Sequence, residues 1–205
     1  MRVEIIGFSH YGQGDGSPEA LLEQAGRACY RSEGQGRPGK FLQARIREGH
    51  ESIIEHASVT FDISGISRAC SHQLVRHRMA SYSQESQRYV DMSAPEFVTP
   101  PSVAENAEAR AAWDEFLAQV GETYRRLRAL GVRKEDARFV LPNATTTRII
   151  VTMNLRSLRH LFEVRCDKAA QWEIRALALE MLRQVHELAP AVFQDLYDLF
   201  LVGKS

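Results

Sequence analysis

Lysine is scarce in this chain. Only four of the 26 basic residues are lysine; the other 22 are arginine. Arginine carries a planar fork of donors that suits phosphates and carboxylates. High-GC codon usage also raises arginine, so only arginines clustered at meaningful spacing carry information. Net charge is missing too, because 26 acidic residues balance the basic ones with His neutral. No global field then draws the chain to polymeric nucleic acid or to an anionic membrane. No apolar run approaches the roughly 18 residues that span a bilayer. The opening segment, Met1 to Gly7, lacks the extended apolar core of a signal peptide. The three cysteines, Cys29, Cys70 and Cys166, are far apart and form no C-x-x-C pair. That argues against a disulfide framework and leads to the expectation of a cytoplasmic protein. No internal repeat, low-complexity tract or linker is visible. The triplet Asn143-Ala144-Thr145 matches a glycosylation sequon, but with no secretion signal it reads as inert.

What is present is ordinary globular material. A length of 205 residues implies one domain over 1–205, large enough to bury a core without disulfides or structural metals. Hydrophobic residues at 44% and charged residues at 25% exclude a largely disordered chain. Residues 2–8 read as a strand and the Gly-rich stretch 12–16 as a loop. Ser17-Pro18-Glu19 reads as a helix start, with Leu21, Leu22, Ala25, Ala28 and Cys29 on its apolar face. A loop over 32–39 and a helix over 40–48 follow. Val59, Phe61 and Ile63 alternate with polar residues, which predicts a strand over 57–64. A helical stretch with Ile66, Ala69, Cys70 and Leu74 runs into Arg76-His77-Arg78. A polar segment 79–91 comes next, and Pro95, Pro100 and Pro101 mark a loop. Residues 102–130 are helical by the spacing of Trp113, Phe116, Leu117, Val120, Tyr124 and Leu127. A short helix at 133–139, a β-branched strand at 145–153 and helices at 154–164, 168–188 and 190–201 complete the reading. Strands and helices mix without a regular βαβ rhythm. The expected class is therefore α+β (α/β mixed): a single domain with a central sheet flanked by long helices.

Two patterns imitate known sites. Gly34, Gly36 and Gly39 match G-x-G-x-x-G, but a helix end precedes them and Pro38 interrupts them, so a plain loop is the better reading. His50 and His56 flank Glu51 and Glu55, yet two zinc-binding histidines on one helix face need a spacing of four, not six. His72 and His77 are spaced no better. No metal site is expected.

The informative segment is Gln73 to Tyr89. It holds Arg76, His77, Arg78 and Arg88 among many hydroxyl and amide groups, and large apolar residues are nearly absent between Met79 and Arg88. A core element would not have this composition. It reads either as a solvated loop or as a phosphate or nucleotide site whose backbone and hydroxyl groups surround the anion. If the helix persists to Arg76, Gln73 and Arg76 share one face. A second cluster is Asn154 to His160. Leu155, Leu158 and Phe162 form its buried stripe, while Arg156 and His160 lie on the other face. The bland alternative is an exposed helix face on which Arg159 pairs with Glu163. Arg138 enters an apolar run, and such an arginine needs an anionic partner.

Arg76-His77-Arg78, seven residues, then Ser86 resembles the R-H-R-x7-S signature of the flavin-dependent thymidylate synthases. Gly49-His50-Glu51-Ser52 through Glu55-His56 is similar to the family's segment ahead of that motif. Ala137-Arg138 through Leu141-Pro142, Asn154-x-Arg156-Ser157-Leu158, and Arg165-x-Asp167 followed by Ala170-Gln171-Trp172-Glu173-Ile174 resemble its later blocks. The resemblance covers residues 17–200 or so. It implies synthesis of dTMP from dUMP, with 5,10-methylenetetrahydrofolate giving the methylene and FAD reduced by NADPH giving the hydride. It also implies a homotetramer whose active sites draw on several subunits. The implied dUMP contacts are Gln73, Leu74, Val75 and Arg76, the loop Gln84, Glu85, Ser86, Gln87 and Arg88, and Arg138 and Arg165. The implied FAD contacts are His50, Ser52, Arg76, His77, Arg78, Gln84, Asn154, Leu155, Arg156 and His160. Arg165 is the implied catalytic residue, favouring ionisation at N3 of the uracil. Folate-only thymidylate synthases use a cysteine in a Pro-Cys-His setting instead, and none of the three cysteines here has that context. Ser86 has no convincing base beside it, since Glu85 and Gln87 point away on an extended strand, so it is expected to bind phosphate rather than to attack carbon. A module that binds RNA or DNA through the Arg-rich helices is the rival from another class, and zero net charge argues against it. A flavin protein without methyl transfer is the nearer rival.

Overall fold

The computed structural model describes residues 1–12, 16–31 and 38–203. Most of the Gly-rich stretch 12–16, and Gly34 and Gly36 of the dinucleotide-like pattern, lie outside the described residues. The chain is helical around an antiparallel four-stranded sheet, in agreement with the α+β expectation. The strands are β1 (Arg2–Phe8), β2 (Ser58–Ser67), β3 (Ala80–Gln84) and β4 (Thr146–Asn154), in the spatial order β1-β2-β4-β3.

The interior strands show the expected period of two. Val59, Phe61 and Ile63 are buried in β2, as are Thr147, Ile149, Val151 and Met153 in β4. In β2 the alternation breaks at Gly65, whose φ of 71° suits glycine. Beyond it the buried residues are Ile66 and Ser67. The strand therefore runs farther than 57–64, and Ile66 belongs to it rather than to the helix. β3 lies inside the segment read as merely polar. It is an edge strand, where a polar sequence is tolerated and deters further pairing.

Two compact units divide the chain. One comprises residues 1–63, 74–82 and 150–205; the other comprises 64–73 and 83–149. In the first, α1 (Pro18–Tyr30) packs on α2 (Pro38–Arg47), α2 packs on the C-terminal helix Pro190–Tyr197, and the helices of residues 155–188 pack in succession. Ser17 caps α1 by accepting a hydrogen bond from the Ala20 amide at 3.1 Å. The inward face of α1 is centred on Leu22 and Gly26, whereas Ala28 and Cys29, expected to be inside, are exposed. The reason is Phe41 of α2. Its ring lies 2.6 Å from where a Cβ on Gly26 would sit, and the Arg27 guanidinium covers the same ring at 4.7 Å. Gly26→Ala is expected to cost about 1–3 kcal/mol through overpacking, measured as a lower urea midpoint with an unchanged slope.

In the second unit α3 (Arg68–Leu74) opens at Ser67, whose hydroxyl accepts from the Cys70 amide at 3.0 Å. It stops at Leu74, so Gln73 and Arg76 do not share a helix face. Two helices, α4 (Pro101–Ala104) and α5 (Ala107–Ala129), replace the single one expected over 102–130. Asn106 splits them by capping the Glu108 and Ala109 amides. Only the later part of the α5 stripe is core: Val120 and Tyr124 are buried, and Phe116 is exposed. Tyr124 packs with Met92 and Ala137. α6 (Lys134–Ala137) and a 3₁₀ turn (Arg138–Val140) end at Leu141-Pro142. No helix among the described residues is long and apolar enough to cross a membrane.

Candidate active site

In the first unit the chemistry gathers around α7 (Leu155–Arg165), which follows β4 directly. Asn154 ends the strand and caps the helix, its amide oxygen accepting from the Ser157 amide at 2.8 Å. Leu155, Leu158, Leu161 and Phe162 are buried beneath the helix, which leaves Arg156 and His160 on the outer face as expected. That face borders a cavity of about 840 Å³, a size common for small-molecule sites. Arg76, His77, Arg78, Asn154, Arg156, His160 and Arg165 all line it, so seven of the expected contacts meet in one place. Glu55 and Ser157, which belong to the family-like segments but were given no contact, line it as well, with Met79 and Val164, which carried no sequence signal of their own. Four guanidinium groups face one carboxylate, that of Glu55, which suits a ligand with a pyrophosphate or another anionic group.

Arg165 donates from Nε to His77 Nε2 at 3.1 Å. The His160 ring stands edge-on to His77, with centroids 5.9 Å apart. Burial, then the charge of Arg165, then His160 lower the His77 pKa to about 4. His77 is therefore a neutral acceptor at physiological pH. Arg156 is held by Glu55 at 2.5 Å and lies 3.6 Å from Glu51. Arg159 does not pair with Glu163 on an exposed face. It is buried, bidentate to Asp195 at 2.7 and 2.6 Å, and donates to the Val192 carbonyl. No cysteine lines this cavity. Cys166 is buried beside it in sequence, and burial pushes its thiol up to about 12, the wrong direction for a nucleophile.

A second cavity, of about 280 Å³, belongs to the other unit and is lined by Arg68, His72, Gln87, Arg138 and Asn143 with Phe139, Leu141 and Pro142. Arg138 donates from Nε to the Glu135 carbonyl at 3.1 Å. Arg68 reaches the Glu85 carbonyl at 3.2 Å and Thr147 Oγ1 at 3.4 Å. Burial, then the nearby charge of Arg138, lower the Arg68 pKa. The Gln87 amide nitrogen is buried with no hydrogen-bond partner. Two cations and an orphaned donor at one cavity make a place for an anion. Arg68 was missed in the sequence, although an arginine between Ile66 and Cys70 is the same signal that singled out Arg138.

Several expected contacts line neither of these two cavities. Gln84 is occupied by Ser71 Oγ at 2.8 Å and Thr147 Oγ1 at 3.2 Å. Ser86 accepts from the Arg88 amide at 3.3 Å and serves its own turn. Arg88 pairs with Glu135 at 3.2 Å and lines a third cavity with Tyr89 and Arg128. Gln73, Val75 and Glu85 line none of the three cavities. Leu74 and Leu155 are core residues. His50 and Ser52 are exposed at the 3₁₀ turn Glu51–His56. Of the four arginines expected to converge, Arg76 and Arg165 share a cavity, whereas Arg88 and Arg138 line two others. Among the described residues no group of three or more His, Cys, Asp or Glu is placed to hold a metal ion.

Residues 14–191 match the family described as thymidylate synthase complementing protein. A flavin-dependent thymidylate synthase of Geobacter sulfurreducens is 51% identical over 87% of this chain and 82% of its own length. A protein of the same name from Nitratidesulfovibrio vulgaris is 47% identical over 94% of the chain and 85% of its own length. Another from Mycobacterium tuberculosis is 45% identical over 88% of the chain and 80% of its own length. With its arginine- and histidine-lined cavity, the chain belongs to the flavin-dependent thymidylate synthase family and is an enzyme of that family.

Proposed function

We propose that this chain, as a single catalytic domain, converts dUMP to dTMP by reductive methylation. 5,10-Methylenetetrahydrofolate supplies the methylene and FAD reduced by NADPH supplies the hydride, with no cysteine nucleophile. The observation that carries the reading is the cavity of the first unit: it sets Arg165 and Arg76 beside a neutral His77 and contains no thiol.

FAD fits what lines that cavity. Arg76, Arg78 and Arg156 balance its pyrophosphate, and His77, His160 and Asn154 offer ring and amide contacts to its flat groups. When bound, the flavin supplies the hydride that completes the methyl group. The protein's part is positioning and polarisation. The Arg165 guanidinium beside the N3–O edge of uracil stabilises the negative charge left when N3 loses its proton, which makes C5 nucleophilic enough to take the methylene. Arg138, Arg68 and Gln87 suit the monophosphate end of dUMP. The complete site is read as one assembled across subunits of a homotetramer, as the family resemblance implies. Gln73, Leu74, Val75, Gln84, Glu85, Ser86 and Arg88 then supply the rest of the dUMP contacts, and His50, Ser52, Gln84 and Leu155 the rest of the FAD contacts. That Cys29, Cys70 and Cys166 form no disulfide with one another supports action in a reducing cytoplasm.

The test is direct. Purified protein should be yellow, retain FAD through gel filtration at the mass of a tetramer, and form dTMP only when dUMP, NADPH and the folate are all present. Oxidation of NADPH without dTMP would leave a flavin oxidase instead. Ser86→Ala should retain measurable turnover with a raised KM for dUMP. Complete loss of turnover at unchanged dUMP affinity would mean that Ser86 attacks carbon and the assignment is wrong.

A further inference from the structure

Tyr82 stands beside the Arg76-His77-Arg78 turn. Its hydroxyl oxygen lies 2.9 Å from the Leu74 carbonyl and 2.8 Å from the His77 carbonyl. A hydroxyl has one proton to donate, so that proton is shared between the two acceptors. Leu74 closes α3 and His77 sits at the centre of the turn, so the hydroxyl ties the two ends of a four-residue stretch together. The His77 amide, donating to the Leu74 carbonyl at 3.2 Å, closes the same loop from inside. Tyr82 is half-buried, and burial pushes its phenol up to about 12. It remains a donor at any working pH.

Arg165 meets the His77 ring itself. Its Nε–H points at His77 Nε2. For Nε2 to accept, the imidazole proton must sit on Nδ1. Arg165 is the last residue of α7, and its chain is fixed just beyond: the Cys166 amide donates to the Phe162 carbonyl at 2.9 Å, and Arg175 Nε donates to the Cys166 carbonyl at 3.1 Å. Backbone geometry is thus held at both ends, and the imidazole joins them.

We propose that Tyr82 and His77 are positioning residues: the Tyr82 hydroxyl clamps the Leu74–His77 turn, and the His77 imidazole held by that clamp aims the Arg165 guanidinium into the cavity. The inference rests on the dTMP-forming reading for what Arg165 does there, but the clamp itself does not depend on it. It adds to the flavin contact expected of His77 a second duty at Nε2. It also gives Tyr82, whose hydroxyl is committed to the Leu74 and His77 carbonyls, a share in the rate.

The experiment uses the full-length protein saturated with FAD and dUMP. Tyr82→Phe keeps the ring and removes only the clamp. His77→Gln keeps a side-chain acceptor, and His77→Ala removes it. A guanidinium displaced by an ångström or so costs on the order of 100-fold in rate. His77→Ala should therefore lower kcat about 100-fold, His77→Gln should recover about tenfold of that, and Tyr82→Phe should lower kcat about tenfold. The KM for dUMP in Tyr82→Phe should change less than about twofold. Loss of FAD affinity with kcat intact at saturation, or a lower melting temperature with kcat intact, overturns the proposal. Heteronuclear NMR reads the bond itself without turnover. In the unmodified protein Nε2 of His77 should be the unprotonated acceptor of the Arg165 Nε–H, and Tyr82→Phe should abolish that pairing. An unchanged pairing in Tyr82→Phe overturns the clamp even if the protein makes no dTMP, while an unmodified protein with the pairing but no dTMP overturns only the reading of the reaction.

Discussion

Arg165→Ala is expected to lower kcat by roughly 100- to 1,000-fold while the protein stays folded and yellow. The magnitude follows from removing one preorganised donor at developing charge. Arg165 lines the cavity with Arg76 and Arg78, so the remaining cations still attract an anionic ligand. What they cannot replace is a guanidinium fixed by its Nε–H on His77. For the same reason Arg165→Lys should recover little, because an ammonium has no Nε edge to commit and no fork to present. The check is kcat at saturating dUMP and FAD, with dUMP affinity measured separately. Retention of more than a tenth of the rate by the alanine variant would remove Arg165 from its assigned place.

The pH dependence sharpens this expectation. His77 is held near pKa 4 against about 6.5 in an unfolded chain. As pH falls below 6.5 the unfolded chain takes up that proton first, so stability drops progressively until the folded pKa near 4 is reached. Above 6.5 His77 contributes no slope. Between pH 5 and 8 the imidazole remains an acceptor, so His77 should introduce no break in kcat near pH 6.5. Chemical denaturation at several pH values reads the first effect, and a pH–rate profile reads the second.

Asp195→Ala should produce the largest loss of stability among single polar substitutions. Arg159 is 5% exposed, and its guanidinium is bidentate to Asp195. The nearest other carboxylate, Glu51, is 3.6 Å from Nε, beyond hydrogen-bonding distance, and Nε is otherwise unpartnered. Removing Asp195 strands a buried charge, which typically costs about 3–5 kcal/mol. The Asp195 side chain is itself 59% exposed, so solvent moderates the loss to about 2–3 kcal/mol. Burial raises the Asp195 pKa, but the hydrogen bonds and charge of Arg159 outweigh it and leave the carboxyl below its usual value. Its stabilisation is thus present above about pH 4 and is lost as pH falls through the lowered value. The double variant Arg159→Met with Asp195→Leu should recover most of the stability, since apolar replacement of a buried pair is often neutral. Urea unfolding of the three proteins decides the matter.

Glu51 gives that pair a functional side. It lies 3.6 Å from Arg156 at the cavity and 3.6 Å from buried Arg159. Nothing in local sequence indicated this. The alternative of Arg159 pairing with Glu163 was drawn from spacing along one helix, and spacing says nothing about a partner on another element. Asp195 comes from 36 residues away and wins because its carboxylate reaches the buried guanidinium with both oxygens.

The expected α1 face failed for a related reason. Periodicity alone put Ala28 and Cys29 inside, but an aromatic ring from α2 needed the bare backbone of Gly26 and turned the helix toward it. The strand β3 was legible only as a polar segment, because edge strands need no apolar alternation. By contrast, the strands at 2–8 and 145–153 and the α7 stripe were plain, because each rests on burial at one fixed period.

By itself the sequence determined the family, through residues at fixed spacing, and the division of α7 into a buried stripe and a polar face. Those are properties of neighbours along the chain, set by helix and strand geometry. Only the tertiary structure decided that Arg76 and Arg165 meet across 89 residues of chain, that Arg68 belongs beside Arg138, and that Arg159 is spent on the core. Which charges share a cavity depends on where separate elements pack and what they exclude from water, and no local pattern records that.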